Sequence, residues 1–324
     1  MALTEANLEP KNAQTPDSRT PGGLWLKNIL FATDFSSSSE AALPYATAIC
    51  RRFGSTLHAA HVLSDASLLL MTGGVDYVSM GTIYEDAHTE AKEKLDQIAL
   101  KVDDIPHHSY VRHGGVWRNL AEIIDANQVD LIIVGTHGRT GLGKLLLGSV
   151  AEDILRHAPC PVLTIGPKVS GRAKLPCIPT HHRDLAPAEL DLRQIVVATD
   201  LGSNASRVTN AAASLAQEFR AQLTLMHVIE DYAELGSSPG PIEDGVRRLT
   251  ELIPATATLQ YTPETVLEFG SATECILKIA GEREADMIVL GARTSAEVGT
   301  THLPWSTAHH VLAQATCPVL TVRA

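Results

Sequence analysis

Residues 130–158, DLIIVGTHGRTGLGKLLLGSVAEDILRHA, decide how this chain is read. The run from Asp130 to Gly135 is short, apolar and β-branched, the composition of a strand buried on both faces. Residues 149–158, SVAEDILRHA, carry apolar side chains at helical spacing. Gly135 and Gly138, three apart at the strand end, let the main chain turn sharply and approach a ligand closely. Residues 139–147 separate them from Gly148-Ser149, which set bare amides and a hydroxyl at the next helix start, where anions are favoured. Together these pieces outline a phosphate cradle divided between a strand end and a helix N-terminus.

The second half of the chain rewrites the first. KNILFATDFS (27–36) returns as RQIVVATDLG (193–202), an offset of 166 that matches Asp34 with Asp200. LHAAHVL (57–63) returns as LTLMHVI (223–229) at the same offset, pairing His61-Val62 with His227-Val228. DLIIVGTHG (130–138) returns as DMIVLGART (286–294) at 156, and APCPVLTIG (158–166) as ATCPVLTVR (315–323) at 157. The drop is one deletion, between the second strand and the helix after it. In the first copy, strand 29–33 leads to a helix at 38–53, opened by the capping box Ser37-x-x-Glu40. Strand 56–63 leads through an apolar loop at 64–86, read as a lid or buried excursion, to a helix at 84–101. Strand 107–112, helix 116–127, strand 130–135, helix 149–157 and strand 161–165 complete it. This alternation predicts an α/β protein of two tandem doubly wound domains. Each has a five-stranded, mainly parallel sheet with helices on both faces. The domains are expected at 25–167 and 192–324, with a disordered extension at 1–24 and an irregular linker at 168–191.

At 324 residues the chain exceeds what one core usually serves. Apolar residues make up 44% and charged residues 19%, which suits a soluble globular protein. No apolar run approaches the roughly 18–20 residues that cross a bilayer. The start also lacks the basic-then-apolar pattern of a secretory signal. A cytoplasmic location without membrane contact is therefore expected. A net charge of −11 argues against nucleic-acid partners. Cys50, Cys160, Cys177, Cys275 and Cys317 are odd in number and never in CxxC spacing, so they read as reduced core thiols.

With these segments in this order, the chain resembles the universal stress protein family, in its ATP-binding branch, whose signature is G-x2-G-x9-G-[S/T]. Gly135, Gly138, Gly148 and Ser149 meet that pattern beside ILFATDFS (29–36), His61-Val62 and APCPVLTIG (158–166). The resemblance implies an adenine-nucleotide α-hydrolase-like fold and bound ATP, with Mg²⁺ held through phosphate oxygens rather than a protein cage. Carried over residue by residue, it places Ala32, Thr33, Asp34 and Val62 along the nucleoside. Gly135, His137, Gly138, Arg139, Gly148, Ser149 and Val150 would surround the phosphates. The chemistry agrees. Asp34, Val62 and Gly135 follow or end strands at the carboxyl edge, where open parallel sheets bind ligands. A carboxylate accepts from ribose hydroxyls or the adenine amine, and main-chain groups at Val62 read the adenine edge. Arg139 offers charge-assisted bonds to phosphate, with Lys144 adding charge if its loop folds inward. Each residue also has a plainer role: Asp34 as a turn cap, Gly135 and Gly138 as shapers of a turn, Ser149 as an N-cap, His137 and Arg139 as loop positions.

The second copy departs from the pattern. Thr294 replaces the second glycine, and Trp305-Ser306, after Pro304, replaces Gly-Ser. Threonine restricts the turn and tryptophan crowds the phosphate space, so this copy is expected to keep the fold without binding ATP in the family manner. The His pairs at 107–108, 181–182 and 309–310 lack metal-ligand spacing, and no GxSxG, HExxH or Walker A pattern occurs in context. No general base accompanies the cradle, and no catalytic residue is assigned. The resemblance implies an ATP-binding stress-response regulator with at most slow hydrolysis or autophosphorylation. It also implies pairing of the closing strands 161–166 and 318–323, between the two copies about a pseudo-twofold or between chains. An adenylyl- or phosphoryl-transferring enzyme of the same superfamily and a ligand-free scaffold stay open as alternatives.

Overall fold

The computed structural model describes residues 26–64, 77–136, 147–169, 190–230, 240–292 and 305–323. The first repeat runs β1 (Asn28–Ala32), α1 (Ser37–Phe53), β2 (Thr56–Leu63), α2 (Tyr77–Lys101), β3 (His107–His113), α3 (Val116–Asn127), β4 (Leu131–Gly135), α4 (Ser149–His157) and β5 (Val162–Ile165). The second runs β6 (Gln194–Ala198), α5 (Ala205–Phe219), β7 (Gln222–Ile229), α6 (Gly240–Glu251), β8 (Glu264–Phe269), α7 (Ala272–Glu282), β9 (Met287–Ala292), α8 (Trp305–Gln314) and β10 (Val319–Arg323).

The ten strands among the described residues form one sheet in the order β3-β2-β1-β4-β5-β10-β9-β6-β7-β8. Pairing is parallel within each repeat. Among the described residues it is antiparallel only where β5 meets β10, with Leu163 opposite Leu320. The closing strands are thus edges of their own repeats that satisfy each other inside one chain, and the palindromic order gives the molecule an approximate twofold. Strands such as β4, buried from Leu131 to Val134, are apolar without alternation because helices cover both faces. One core layer is filled from α1, α2, α5 and α6, the other from α3, α4, α7 and α8, and each layer runs across both repeats.

Matching side chains lock matching places. Asp130 Oδ2 accepts from Lys27 N (2.7 Å) and Asn28 N (2.9 Å), tying the entry of β4 to that of β1. Asp286 Oδ2 does the same for Arg193 N (2.8 Å) and Gln194 N (3.0 Å).

Two sequence expectations need correction. The first helix is capped by Ser36, whose Oγ accepts from Ser39 N, not by Ser37. Helix α2 begins at Tyr77, so residues 77–83 are helix where a loop was expected; Tyr77, Met80 and Tyr84 fall at helical spacing. Residues 65–76 lie outside the described residues, as do the extension, most of the linker with Cys177 and His181-His182, and the second-repeat positions Thr294 and Pro304. Among the described residues, no helix is long and apolar enough to cross a membrane.

Candidate functional site

The site begins where β1 runs out. Thr33 N still bonds Ala60 O of β2 (3.0 Å), and the chain then turns. Thr33 Oγ1 accepts from Phe35 N (3.0 Å), and Phe35 adopts φ +60°, a left-handed conformation uncommon for a bulky residue. Asp34 Oδ1 accepts from Ser36 N (3.0 Å) and from the Ser39 hydroxyl (3.0 Å). Burial alone would raise the Asp34 carboxyl, but the hydrogen bonds from Ser36 and Ser39 outweigh it and leave the pKa below its ordinary value. From the end of β2, His61 Nδ1 reaches Thr33 O at 2.8 Å. A carbonyl only accepts, so Nδ1 carries the proton there. The His61 ring packs 4.4 Å from the Phe35 ring.

The other wall comes from β4 and α4. A Cβ at Gly135 would lie 2.6 Å from Ser38 C and O, so the glycine is required by the close approach of α1. Thr136 N bonds Ile165 O (3.1 Å), and Gly148 N bonds Thr136 O (2.7 Å), pinning both ends of the intervening loop. Gly148 is the N-cap of α4 and offers no side chain, while Glu152 N bonds Gly148 O (2.9 Å). Ser149 is therefore the first helical residue rather than the cap. The amides of Ser149, Val150 and Ala151 have no acceptor within the helix, the usual state of a first turn.

These walls enclose a cavity of about 240 Å³. Ala32, Thr33, Asp34, Val62, Gly135, Gly148, Ser149 and Val150 all line it. His137, Gly138, Arg139 and Lys144 lie outside the described residues. Sequence reasoning missed His61 as a wall and Lys94 as a charge. Lys94, on α2, stands 5.4 Å over the Phe35 ring and pairs with Glu90, one turn earlier. No motif marks α2, so only the topology could have brought Lys94 here. His61 carried a signal, its return as His227.

The second repeat rebuilds the same strand-end geometry. Thr199 N bonds Met226 O (3.0 Å), His227 Nδ1 reaches Thr199 O (2.8 Å), and Leu201 takes φ +57°. Asp200 Oδ1 accepts from Gly202 N (2.8 Å), a turn role. Thr199, Asp200, His227, Val228 and Gly291 line a cavity of about 560 Å³. Its chemistry differs. Where the first repeat has Ser64, the second has Glu230, whose Oε1 accepts from Ala272 N (3.0 Å) at the start of α7. Among the described residues, its lining includes Asp200 and Glu230 but no lysine or arginine. The Trp305 side chain lies outside the description.

His108 stacks on His58 at 5.4 Å, and no group of three metal-ligating side chains occurs among the described residues. Cys50, Cys160, Cys275 and Cys317 are buried free thiols.

Fold and site define a doubled, doubly wound α/β protein with a cavity at the carboxyl strand ends of each half. The family model described as universal stress protein matches residues 26–166 and again 192–323. The chain belongs to the universal stress protein family, as a tandem member. It is similar to universal stress protein MJ0577 of Methanocaldococcus jannaschii, 29% identical over 157 residues that cover 44% of this chain and 97% of that protein. Universal stress protein A homolog 1 of Coxiella burnetii is 32% identical over 140 residues, covering 43% of this chain and 95% of that protein. The crystal structure of a universal stress protein from Archaeoglobus fulgidus DSM 4304 superposes with a TM-score of 0.65 at 20% identity, covering 91% of this chain and 98% of that one. That likeness speaks to the tandem fold.

Proposed function

We propose that the first cavity is an ATP site and that the protein acts as a cytoplasmic stress-response regulator rather than a metabolic enzyme, with at most slow hydrolysis or autophosphorylation. One observation carries the reading: Asp34, Val62 and the first turn of α4 converge on a single cavity. In this reading Asp34 and main-chain groups at Val62 hold the nucleoside. The polyphosphate leads past Gly135 to the amides of Ser149 and Val150, a first turn suited to anions. The described cavity is just below the roughly 300–1,000 Å³ usual for ligand sites, the scale of a nucleoside whose tail leads outward. Arg139 and His137 would flank the phosphates, with Mg²⁺ held by phosphate oxygens.

The second cavity is proposed not to take a triphosphate. Glu230 on its wall, with no lysine or arginine among the described lining residues, opposes a polyanion, and Trp305-Ser306 stands where the first repeat has Gly148-Ser149.

Mass spectrometry of the full chain purified without added ligand, with calorimetric titration, tests both statements. The expected result is one ATP per chain, abolished by Gly148→Val or Asp34→Ala with the fold retained. Unchanged affinity in both variants, or no nucleotide bound at all, refutes the site. Two ATP per chain refutes the exclusion from the second repeat.

A further inference from the structure

Helix α4, which carries the phosphate-side amides, is held at both ends by the other repeat. At its start the Leu147 amide, one residue ahead of the Gly148 cap, donates to His309 Nε2 of α8 at 3.3 Å. At its end the guanidinium of Arg323, the last residue of β10, donates to the carbonyls of Arg156 and of Ala158, the C-cap. Such carbonyls lack helical partners, and a cation there complements the helix dipole.

The position that the repeat relates to Arg323 is Gly166. A Cβ there would lie 2.7 Å from Leu312 O, in the last turns of α8. One side of the approximate twofold therefore makes a bare backbone contact, where the other makes hydrogen bonds to α4. Neither His309 nor Arg323 lines the first cavity. Both act on the backbone of the helix that does.

We propose that His309 and Arg323 are positioning residues through which the C-terminal repeat fixes α4, so that its first amides stand preformed for phosphate. Preformed donors spare the ligand the cost of ordering them. The inference rests on the reading of the first cavity as a nucleotide site, and it gives the second repeat a role that needs no ligand of its own.

The test uses the full chain with ATP and adenosine as probes. His309→Phe removes the acceptor and keeps an aromatic ring, whereas His309→Gln restores an acceptor. Calorimetry is expected to show ATP about three- to tenfold weaker in His309→Phe, the range set by one net hydrogen bond. Adenosine, which reaches only the nucleoside end, should bind as in wild type, and His309→Gln should recover most of the ATP affinity. Native-state hydrogen exchange of the ligand-free chain should show the Leu147 amide exchanging faster in His309→Phe. Arg323→Met, which keeps the apolar stem without the Nη1 donor, is the second probe, with the same split between ATP and adenosine. Equal losses for both ligands, or wild-type ATP affinity with wild-type exchange at Leu147, overturn the positioning role. A wild-type chain that binds neither probe overturns the nucleotide reading, and this role with it.

Discussion

Replacing Gly135 with alanine separates what the fold requires from what a ligand requires. The added Cβ would meet Ser38 C and O at 2.6 Å and Ser39 N at 2.8 Å, main-chain atoms in the first turn of α1 that cannot rotate away. Moving them would disturb the Ser36 cap and the Asp34–Ser39 hydrogen bond. The related substitution, Gly291→Ala, meets nothing nearer than Val208 Cγ2 at 3.2 Å, a side-chain methyl, with Asn204 Nδ2 at 3.8 Å. Forcing one carbon into a packed site costs about 1–3 kcal/mol, and exchanging a strand glycine for alanine returns about 0.5–1 kcal/mol. Gly135→Ala should therefore lose a net ~1–2 kcal/mol, while the two effects nearly cancel at Gly291. At about 2–4 °C per kcal/mol for units of 150–250 residues, Tm should fall by about 2–8 °C in Gly135→Ala and by no more than about 2 °C in Gly291→Ala. Scanning calorimetry without nucleotide measures both. Equal shifts, or an unchanged midpoint in Gly135→Ala, would refute the requirement of α1 for this glycine.

Three other outcomes follow from the same geometry. Because the folded-state pKa of Asp34 is lowered, its stabilisation is full above the ordinary carboxylate value of 3.8 and is lost as pH falls through the folded value. Asp34→Ala should thus be less stable than wild type at pH 7, with the gap narrowing as pH falls below 3.8; urea midpoints equally displaced at pH 7 and pH 3 would count against this. Burial pushes the thiols of Cys50, Cys160 and Cys317 up to about 12, so iodoacetamide at pH 8 should leave them unmodified until the chain unfolds, and native labelling of any of the three would contradict it. Arg283 holds the Glu264 carboxyl below its usual range through hydrogen bonds on the β8 edge, yet both groups are partly exposed. Glu264→Gln should cost less than about 1 kcal/mol, and the loss should shrink with added salt; a larger, salt-independent loss in urea titrations would show the pair to be buried in effect.

The architecture was legible because a sheet covered on both faces writes itself as unbroken apolar runs, and because the chain states those runs twice. Ile29 to Phe31 and Leu131 to Val134 need no partner information to be read as strands. Helix starts were less legible. FSSSSE (35–40) offers four serines able to cap, and the choice of Ser36 is made by the left-handed turn at Phe35, which no local pattern announces. Helix α2 was read seven residues short because the apolar side chains before Tyr84 match a buried loop as well as a helix. At the site, Asp34 and Val62 were readable from strand ends. Lys94 was not, since it reaches the cavity from a helix whose sequence holds no motif.

Comparing the two repeats sorts the site more finely than either does alone. The threonine that folds back on the next turn, the left-handed residue after the aspartate, and the histidine that clamps the strand-one carbonyl occur in both halves. They belong to the way this sheet ends and carry no information about a ligand. What distinguishes the first half is the backbone contact at Gly135, Ser64 in place of a carboxylate, and a helix start built from Gly148 and Ser149. In the second half a carboxylate already occupies the start of α7. An anion that enters there meets a helix end whose positive pole has been spent on Glu230, whereas the counterpart helix of the first half, α3, starts from a Gly115 cap with no side-chain bond. Duplication preserved the scaffold, and the halves differ in charge where the counterpart helices α3 and α7 begin.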